Sequence, residues 1–294
     1  MAIRLIALDL DGTLLNSQGV VTERNRRAID EARGRGVRVA LVTGRRFRDA
    51  RPLAQELGLD VPVIAHNGAL TKHARTLETV AAHLLPLDAA RAVLRTGREA
   101  GADALVSVDP EGTGLLVYDH ISDDNQSLAK YIAWSRRVVG DDPETVVRRV
   151  PSLEKYLNAA PVHVAFSGTC EKMEHLDNIL QRELGPRIKS LLTLYPRQDF
   201  ALLDVIHPEA SKGAGLAAVA AEQNLTREEV MAVGDNLNDL EMLHYAGTGV
   251  RMGNAEARLH SFENFHVTAT NDEDGVAAAI ERFILRNDEC RNDE

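Results

Sequence analysis

Four short stretches of this 294-residue chain carry side chains able to do chemistry. The first is Asp9-Leu10-Asp11-Gly12-Thr13, which follows an apolar run of Ile3, Leu5, Ile6 and Leu8. The second is Thr43-Gly44-Arg45. The third is Lys212, within Ser211-Lys212-Gly213. The fourth is Gly234-Asp235-Asn236-Leu237-Asn238-Asp239. Asp9 and Asp11, two like charges two residues apart, are costly unless something cationic sits between them, and a divalent metal with a phosphoryl group supplies that reason. Phosphoryl transfer is the chemistry these residue types allow. One carboxylate can attack phosphorus, and a second can protonate the leaving oxygen and later deprotonate water. Asp9 and Asp235 are hard oxygen donors of the kind Mg²⁺ takes. The Thr43 hydroxyl, the Gly44 amide and the Lys212 ammonium can spread the charge of a phosphoryl group.

Each stretch alone also fits a plain structural role. Asp-x-Asp-Gly describes a tight turn, Thr43-Gly44 a strand end, and Asp235–Asp239 an Asx-capped helix start. Lys212 could be a solvated lysine, although a cation at a helix start opposes the helix dipole and calls for an anion nearby. The four together, in this order and each beside a predicted core element, favour the chemical reading.

Those elements alternate at first. Apolar runs over 3–10, 37–44 and 62–68 read as buried strands, with helices from Thr22 to Gly34 and over 46–57, where Pro52 is an irregularity. A βαβαβ order of this kind predicts a parallel sheet with its site at the strands' C-terminal edge. From about 85 the pattern changes to short paired strands (104–109, 114–119, 146–150, 162–167, 191–196, 200–206) with helices over 87–101, 124–136 and 171–184. Grouped short strands predict an α+β module with an antiparallel sheet. After 208 the parallel pattern resumes, with helices over 213–224, 237–247 and 272–285 and strands over 229–235, 249–252 and 266–270. The fold class is therefore α/β, a doubly wound parallel sheet with an inserted α+β domain. The core is expected over 1–84 and 207–285, the insertion over 85–206, and a polar, disordered tail over 286–294.

Hydrophobic residues make up 44% and charged residues 27%, enough apolar material for a sizeable core. The net charge is −10 with no dominant basic cluster, which excludes nucleic acid as an expected partner. The two cysteines, Cys170 and Cys290, lie far apart without metal-ligand neighbours and read as free thiols of a reducing compartment. No apolar run reaches membrane-spanning length, and the N-terminus lacks a secretory pattern. The expectation is a cytoplasmic protein with a small-molecule partner and no membrane partner; no oligomeric state is expected either way.

The motifs resemble those of the haloacid dehalogenase-like hydrolases, and most closely the Cof-type sugar phosphatases. DLDGTLL, LVTGR, HNGA at 66–69, SKG at 211–213, GDNLNDLEML and TATNDEDGVAAAI carry the resemblance, over about 1–84 and 207–285. It implies a Rossmann-like core with a large α/β cap between the second and third motifs. It implies Asp9 as nucleophile and Asp11 as general acid/base. Mg²⁺ would be held by Asp9, the Asp11 backbone carbonyl and Asp235, and phosphate by Thr43, Gly44 and Lys212. Asn238 would bind phosphate or water, and Asp239 would orient its loop and Lys212. Thr13 and Arg45 stand beside these as supporting residues. An Asp at position 11 favours phosphate esters, because a carboxylic acid can protonate an alkoxide. The implied function is a phosphatase of small phosphorylated metabolites, sugar phosphates first. A phosphomutase on the same scaffold and a non-catalytic phosphometabolite-binding protein are the alternatives. His66 reads as strand-end packing, Asn67-Gly68 as part of the wall on the cap side, and His120, His163 and His207 as scattered, without metal spacing. In the insertion, Asp109, Tyr118, Asp119, His120, Arg197 and Asp199 are candidates to face a substrate.

Overall fold

The computed structural model describes residues 2–138 and 143–286. Most of the expected disordered tail, from 287 on and including Cys290, lies outside the described residues. The chain divides into two compact units, Met1–Ala81 with Ser211–Glu294, and Ala82–Ala210.

The first unit begins with β1 (Leu5–Asp9), α1 (Glu23–Gly34), β2 (Arg38–Val42), α2 (Phe47–Glu56) and β3 (Val63–Ala65). Thr22 caps α1 by accepting the Asn25 amide, and α2 runs on through Pro52. The chain then makes β4 (Leu70–Lys72) and β5 (Thr79–Ala82). The second unit follows with α3 (Leu87–Glu99), β6 (Asp103–Val108), β7 (Leu115–Tyr118), α4 (Gln126–Val138), β8 (Val147–Arg149), α5 (Leu153–Tyr156), β9 (His163–Gly168), α6 (Cys170–Leu184), β10 (Lys189–Tyr195) and β11 (Phe200–Ile206). The first unit resumes with α7 (Lys212–Glu222), β12 (Val230–Gly234), α8 (Leu240–Tyr245), β13 (Thr248–Arg251), β14 (His266–Val267) and α9 (Gly275–Ile280).

In the first unit every residue of β1 and β12 is buried, as is all of β2 but Arg38. Strands buried on both faces belong to a parallel sheet covered by helices. The sheet order is β14-β13-β12-β1-β2-β3-β4-β5, and β1 pairs in parallel with both β2 and β12. The chain winds outward from β1 through β2 to β3, then returns to β12 and winds the other way to β14. The order thus reverses between β1 and β12, the point where open α/β sheets leave a crevice at the strands' C-terminal ends.

Several expected elements end early. The strand expected over 62–68 stops at Ala65, because His66 (φ 50°) and Asn67 (φ 54°) take left-handed backbone that breaks the pleat. The chain turns there and returns as β4, antiparallel to β3. The helix expected over 237–247 is a 3₁₀ turn (Leu237–Asp239) followed by α8. The one expected over 272–285 is interrupted at left-handed Asp274, and its last turn, Glu281–Leu285, is a π turn. The strand expected over 266–270 keeps only His266–Val267. Lys212, expected just ahead of a helix, is the first residue of α7, behind the Ser211 cap.

The second unit holds a six-stranded sheet, β10-β11-β9-β6-β7-β8. It is antiparallel except at β7–β8, which pair in parallel. Val93 and Leu94 of α3 and Leu176 and Leu180 of α6 pack on Val106, Phe166 and Leu203 of one sheet face. Leu128 and Ile132 of α4 pack on Leu105, Leu116 and Tyr118 of the other.

Gly97 on α3 gives this packing a test. Alanine in a helix interior normally gains about 1 kcal/mol over glycine. A Cβ at Gly97, however, would fall 2.3 Å from Cε1 of Phe166, a ring only 1% exposed. Gly97→Ala should destabilise by about 1–3 kcal/mol through overpacking. Urea denaturation reads this as a lower midpoint at unchanged slope; a raised midpoint would mean the ring has room to move.

Candidate active site

Asp9 is the last residue of β1, Lys212 the first of α7, and Asp239 closes the turn after β12. All three are buried, at 4%, 2% and 0% exposure. The Lys212 ammonium donates to Asp9 Oδ1 at 2.7 Å and to Asp239 Oδ1 at 2.5 Å. These carboxylates are the anions that remove the conflict between Lys212 and the α7 dipole. The other Asp239 oxygen, Oδ2, accepts the amides of Asp235 and Asn236, both at 2.9 Å, so it fixes the loop leaving β12.

Asp235 accepts the Thr13 hydroxyl at 2.8 Å. Asp9, Asp235 and Asp239 each bring a carboxylate oxygen within 4.8 Å of the others. Gly12 makes this approach possible. It sits at φ +85°, and a Cβ there would lie 2.4 Å from Asp235 Oδ2. A left-handed backbone and the absence of a side chain are both required at this position.

Three carboxylates face one ammonium in a desolvated place. Burial first, and then the charges of Asp239 and Asp235, hold the Asp9 carboxyl well above the usual carboxylate range despite Lys212. Burial and the Asp239 charge push Asp235 up to about 6. Burial alone would depress Lys212, but the charges of Asp239 and Asp9 outweigh it and raise the ammonium's pKa. The cluster therefore carries excess negative charge on oxygen donors, which fits a hard divalent cation such as Mg²⁺. With both Asp239 oxygens engaged by protein donors, Asp9 and Asp235 are the carboxylates best able to hold it.

Beside this cluster, Thr43 is 1% exposed and its hydroxyl accepts the Arg45 amide at 3.0 Å. Gly44 packs closely beside Asn67, whose Oδ1 would lie 3.1 Å from a Cβ there. Asn67 Oδ1 accepts from Asn238 Nδ2 at 2.9 Å, whereas Asn238 Oδ1 is buried with no hydrogen-bond partner among the described residues. Asn67 thus belongs to the cluster of motif residues, a position its sequence number gives no hint of beyond the HNGA stretch. His66 is buried, and its Nε2 accepts the Phe47 amide at 3.4 Å.

Asp11 departs from the expectation that its carboxylate and Asp9 share one cation. Its side chain is 60% exposed and forms a bidentate pair with Arg45, at 2.8 Å and 2.5 Å. Arg45 holds the Asp11 carboxylate and Lys212 holds that of Asp9, so each carboxylate meets a different cation.

The candidates in the second unit are mostly occupied in holding that unit together. Asp109, at φ 62°, accepts the amides of Gly112 and Gly114 in the β6–β7 turn. Asp119 accepts the Leu153 amide and pairs with Arg98. Asp199 accepts the Cys170 amide, and Tyr118 is buried against α4. Arg197 is exposed. His120 lines a cavity of about 430 Å³ with Arg98, Asp103 and Ser152. His163 lies 3.5 Å from Asp204. His207, expected to stand alone, meets His83 and Glu209 with ligand-type atoms within 4.8 Å of one another, a convergence no local spacing could reveal. Its Nδ1 already accepts the Glu209 amide at 3.1 Å.

Comparison with known proteins adds an independent line. A family profile described as haloacid dehalogenase-like hydrolase matches residues 6–280. The 5-amino-6-(5-phospho-D-ribitylamino)uracil phosphatase YcsE of Bacillus subtilis (strain 168) is 30% identical, over 96% of this chain and 96% of its own. The pyridoxal phosphate phosphatase YbhA of Escherichia coli (strain K12) is 29% identical, over 97% of this chain and all of its own. A crystal structure of a haloacid dehalogenase-like hydrolase from Bacteroides thetaiotaomicron superposes with a TM-score of 0.78 at 27% identity, covering 95% of this chain and 99% of that one.

The charge excess predicts a stability effect. A carboxyl whose folded pKa is about 6 and whose unfolded pKa is near 3.8 keeps its proton longer in the folded state. Stability is then lost as pH rises from about 4 to about 6, and the full penalty remains above that range. Asp235→Asn removes the charge and keeps an oxygen for Thr13. In EDTA it should raise stability by about 1–3 kcal/mol at pH 8, with the gain shrinking below pH 6. Thermal melts across pH 4–8 measure this; a gain independent of pH would show that charge is not the cause.

Proposed function

The chain belongs to the haloacid dehalogenase-like hydrolases, and we propose that it is a Mg²⁺-dependent phosphatase of small phosphorylated metabolites, sugar phosphates among them, acting through an aspartyl-phosphate. The observation that carries this reading is Asp9, a buried carboxylate at the sheet's switch point that is held by Lys212 and faces Asp235. Two relatives named for the phosphate monoesters they hydrolyse support the substrate class.

The residues take the following roles. Asp9 attacks phosphorus; its oxygen bonds to phosphorus as the bond to the ester oxygen breaks. Asp11 gives its proton to the departing alkoxide, then takes one from the water that attacks the aspartyl-phosphate. That second attack releases inorganic phosphate and restores the Asp9 carboxylate. Asp9, Asp235 and the Asp11 backbone carbonyl would hold Mg²⁺, which when bound offsets the negative charge of carboxylates and phosphate. Lys212, Thr43, the Gly44 amide and Asn238 bind the phosphoryl oxygens. Thr13 steadies Asp235, and Asp239 steadies Lys212 and the loop after β12. Arg45 holds Asp11 to one side, so this pair must open before Asp11 can face a leaving oxygen. The unit over 82–210 is the inserted cap, and discrimination among leaving groups resides there.

The direct test is phosphate release from a panel of phosphorylated sugars, vitamins and nucleotides, with Mg²⁺ and with EDTA. Release should require the metal. In Asp9→Asn it should fall at least about a thousandfold with the fold intact. Isomerisation without net phosphate release would instead mark a phosphomutase, and tight binding without turnover a binding protein.

Asp11→Asn should separate leaving groups. Aryl phosphates such as p-nitrophenyl phosphate depart with little proton help, whereas alkyl phosphates need it. The variant should lose about tenfold more activity on alkyl than on aryl esters. Equal losses on both would remove Asp11 from the proton-donor role.

A further inference from the structure

One motif has no part in the chemistry above: the Thr268–Gly275 stretch, TATNDEDG. In the structure two of its polar side chains, Asn271 and Asp272, reach the loop that follows Asp9. Asn271 Nδ2 donates to the Leu15 carbonyl at 2.9 Å, and Asp272 Oδ1 accepts the Ser17 amide at 2.8 Å. The Asn271 amide donates to Asn254 Oδ1 at 2.9 Å, and Asn254 Nδ2 in turn donates to the Gly12 carbonyl at 2.8 Å. Asn254 stands in the turn after β13, two residues before Glu256, whose amide donates to the Asp235 carbonyl at 2.8 Å. A single short segment, 254–256, thus holds the backbone of both loops that carry the paired carboxylates. Asn271 fixes the orientation of the Asn254 amide that does so.

Gly12 is the place where looseness would matter. Its missing Cβ is what admits Asp235, whose Oδ2 a Cβ there would meet at 2.4 Å, and the next residue, Thr13, donates to that same carboxylate. Rotation of the Gly12 peptide would move Thr13 and open the gap between Asp9 and Asp235. Within the loop, Leu15 donates to the Leu10 carbonyl at 2.9 Å, but the residues next to Gly12 are held by longer bonds, Thr13 to the Leu10 carbonyl at 3.3 Å and Leu14 to the Asp9 carbonyl at 3.2 Å. The Gly12–Leu14 stretch is therefore where support from outside the loop counts.

We propose that Asn254 and Asn271 are positioning residues: an amide relay from the C-terminal motif that sets the spacing of the two carboxylate loops, and with it affinity for the divalent cation, without touching substrate. The claim about metal affinity rests on the function proposed above; the claim about the loop does not. Two readouts keep them apart. The first is hydrogen–deuterium exchange of residues 10–17 in EDTA, which requires no activity. The second is the Mg²⁺ concentration for half-maximal phosphatase activity, with kcat and KM measured at saturating metal.

Asn254→Ala should accelerate exchange of that segment about tenfold, the scale of one lost hydrogen bond. Asn254→Asp keeps the acceptor for Asn271 and loses the donor to Gly12, so it should do the same with the fold of 268–275 preserved. Both variants should raise the half-activating Mg²⁺ concentration about tenfold while KM for the ester stays within about twofold. Asn271→Ala keeps the backbone donor to Asn254 and loses only the Nδ2 bond to the Leu15 carbonyl, so it should speed exchange near Leu15 without freeing Asn254. Unchanged exchange over 10–17 in folded Asn254→Asp overturns the relay, whatever the activity. Faster exchange with unchanged Mg²⁺ dependence overturns its role in setting the metal site. Faster exchange in a protein whose wild type needs no metal upholds the relay and overturns the phosphatase reading.

Discussion

One buried ammonium ties together three parts of the chain that lie far apart in sequence. Lys212 Nζ touches Asp9, 203 residues away, and Asp239, 27 residues away, in a place almost closed to water. Removing such a charge from water costs several kcal/mol, and only close, well-formed pairing recovers it. The pairing works in both directions: without Lys212, Asp9 and Asp239 could not both stay ionised so near one another. Asp239 then passes the constraint on through the amides of Asp235 and Asn236. The end of β1, the start of α7 and the loop after β12 therefore move as one piece.

That piece is arranged for charge it does not itself supply. Asp235 makes a third carboxylate against one ammonium, and the sequence keeps it there despite the cost in stability. Such strain is common where groups are oriented ahead of the charge they will meet. The orientation rests on the left-handed Gly12, the Thr13 hydroxyl and the Asn67–Asn238 amide contact. Asn238 Oδ1, buried and unpaired among the described residues, is a further acceptor waiting for a donor.

Much of this was legible in the residues. The buried runs of β1, β2 and β12 stand out because no polar residue interrupts them, and Asp9, Thr43 and Asp235 each sit one step beyond such a run. The stretches that misled have physical reasons. β4 and β5 are three- and four-residue strands without an apolar pattern, joined to β3 by a turn whose left-handed His66 and Asn67 look like ordinary strand residues in sequence. Asp9 and Asp11 read as carboxylates sharing one cation, but Asp9 pairs with Lys212 and Asp11 with Arg45, partners 203 and 34 residues away that local spacing does not show. Asp109, Asp119 and Asp199 looked like ligand-facing acids, yet each satisfies backbone amides of its own unit. Contacts such as Asn254 with Gly12 and His83 with His207 join residues more than a hundred apart and have no local signature at all.

The same ammonium also answers a problem of register. In a half-buried strand, a one-residue slip turns apolar side chains to water and is penalised heavily. β1 is apolar and buried on both faces, so a slip against β2 or β12 would exchange Leu5 and Ala7 for Ile6 and Leu8 at little hydrophobic cost. What such a slip cannot satisfy is Asp9. In the observed register Asp9 lies opposite Val42 of β2, and Leu8 opposite Val233 of β12, which brings Asp9 level with Gly234. Gly234 itself leaves no space for a side chain, since a Cβ there would meet Asp239 at 2.6 Å. A slip of one residue would carry Asp9 to the opposite face of the sheet and leave Lys212 and Asp239 buried with one partner fewer. The interaction that prepares the site for chemistry is therefore also the one that fixes how the central strands of the sheet align.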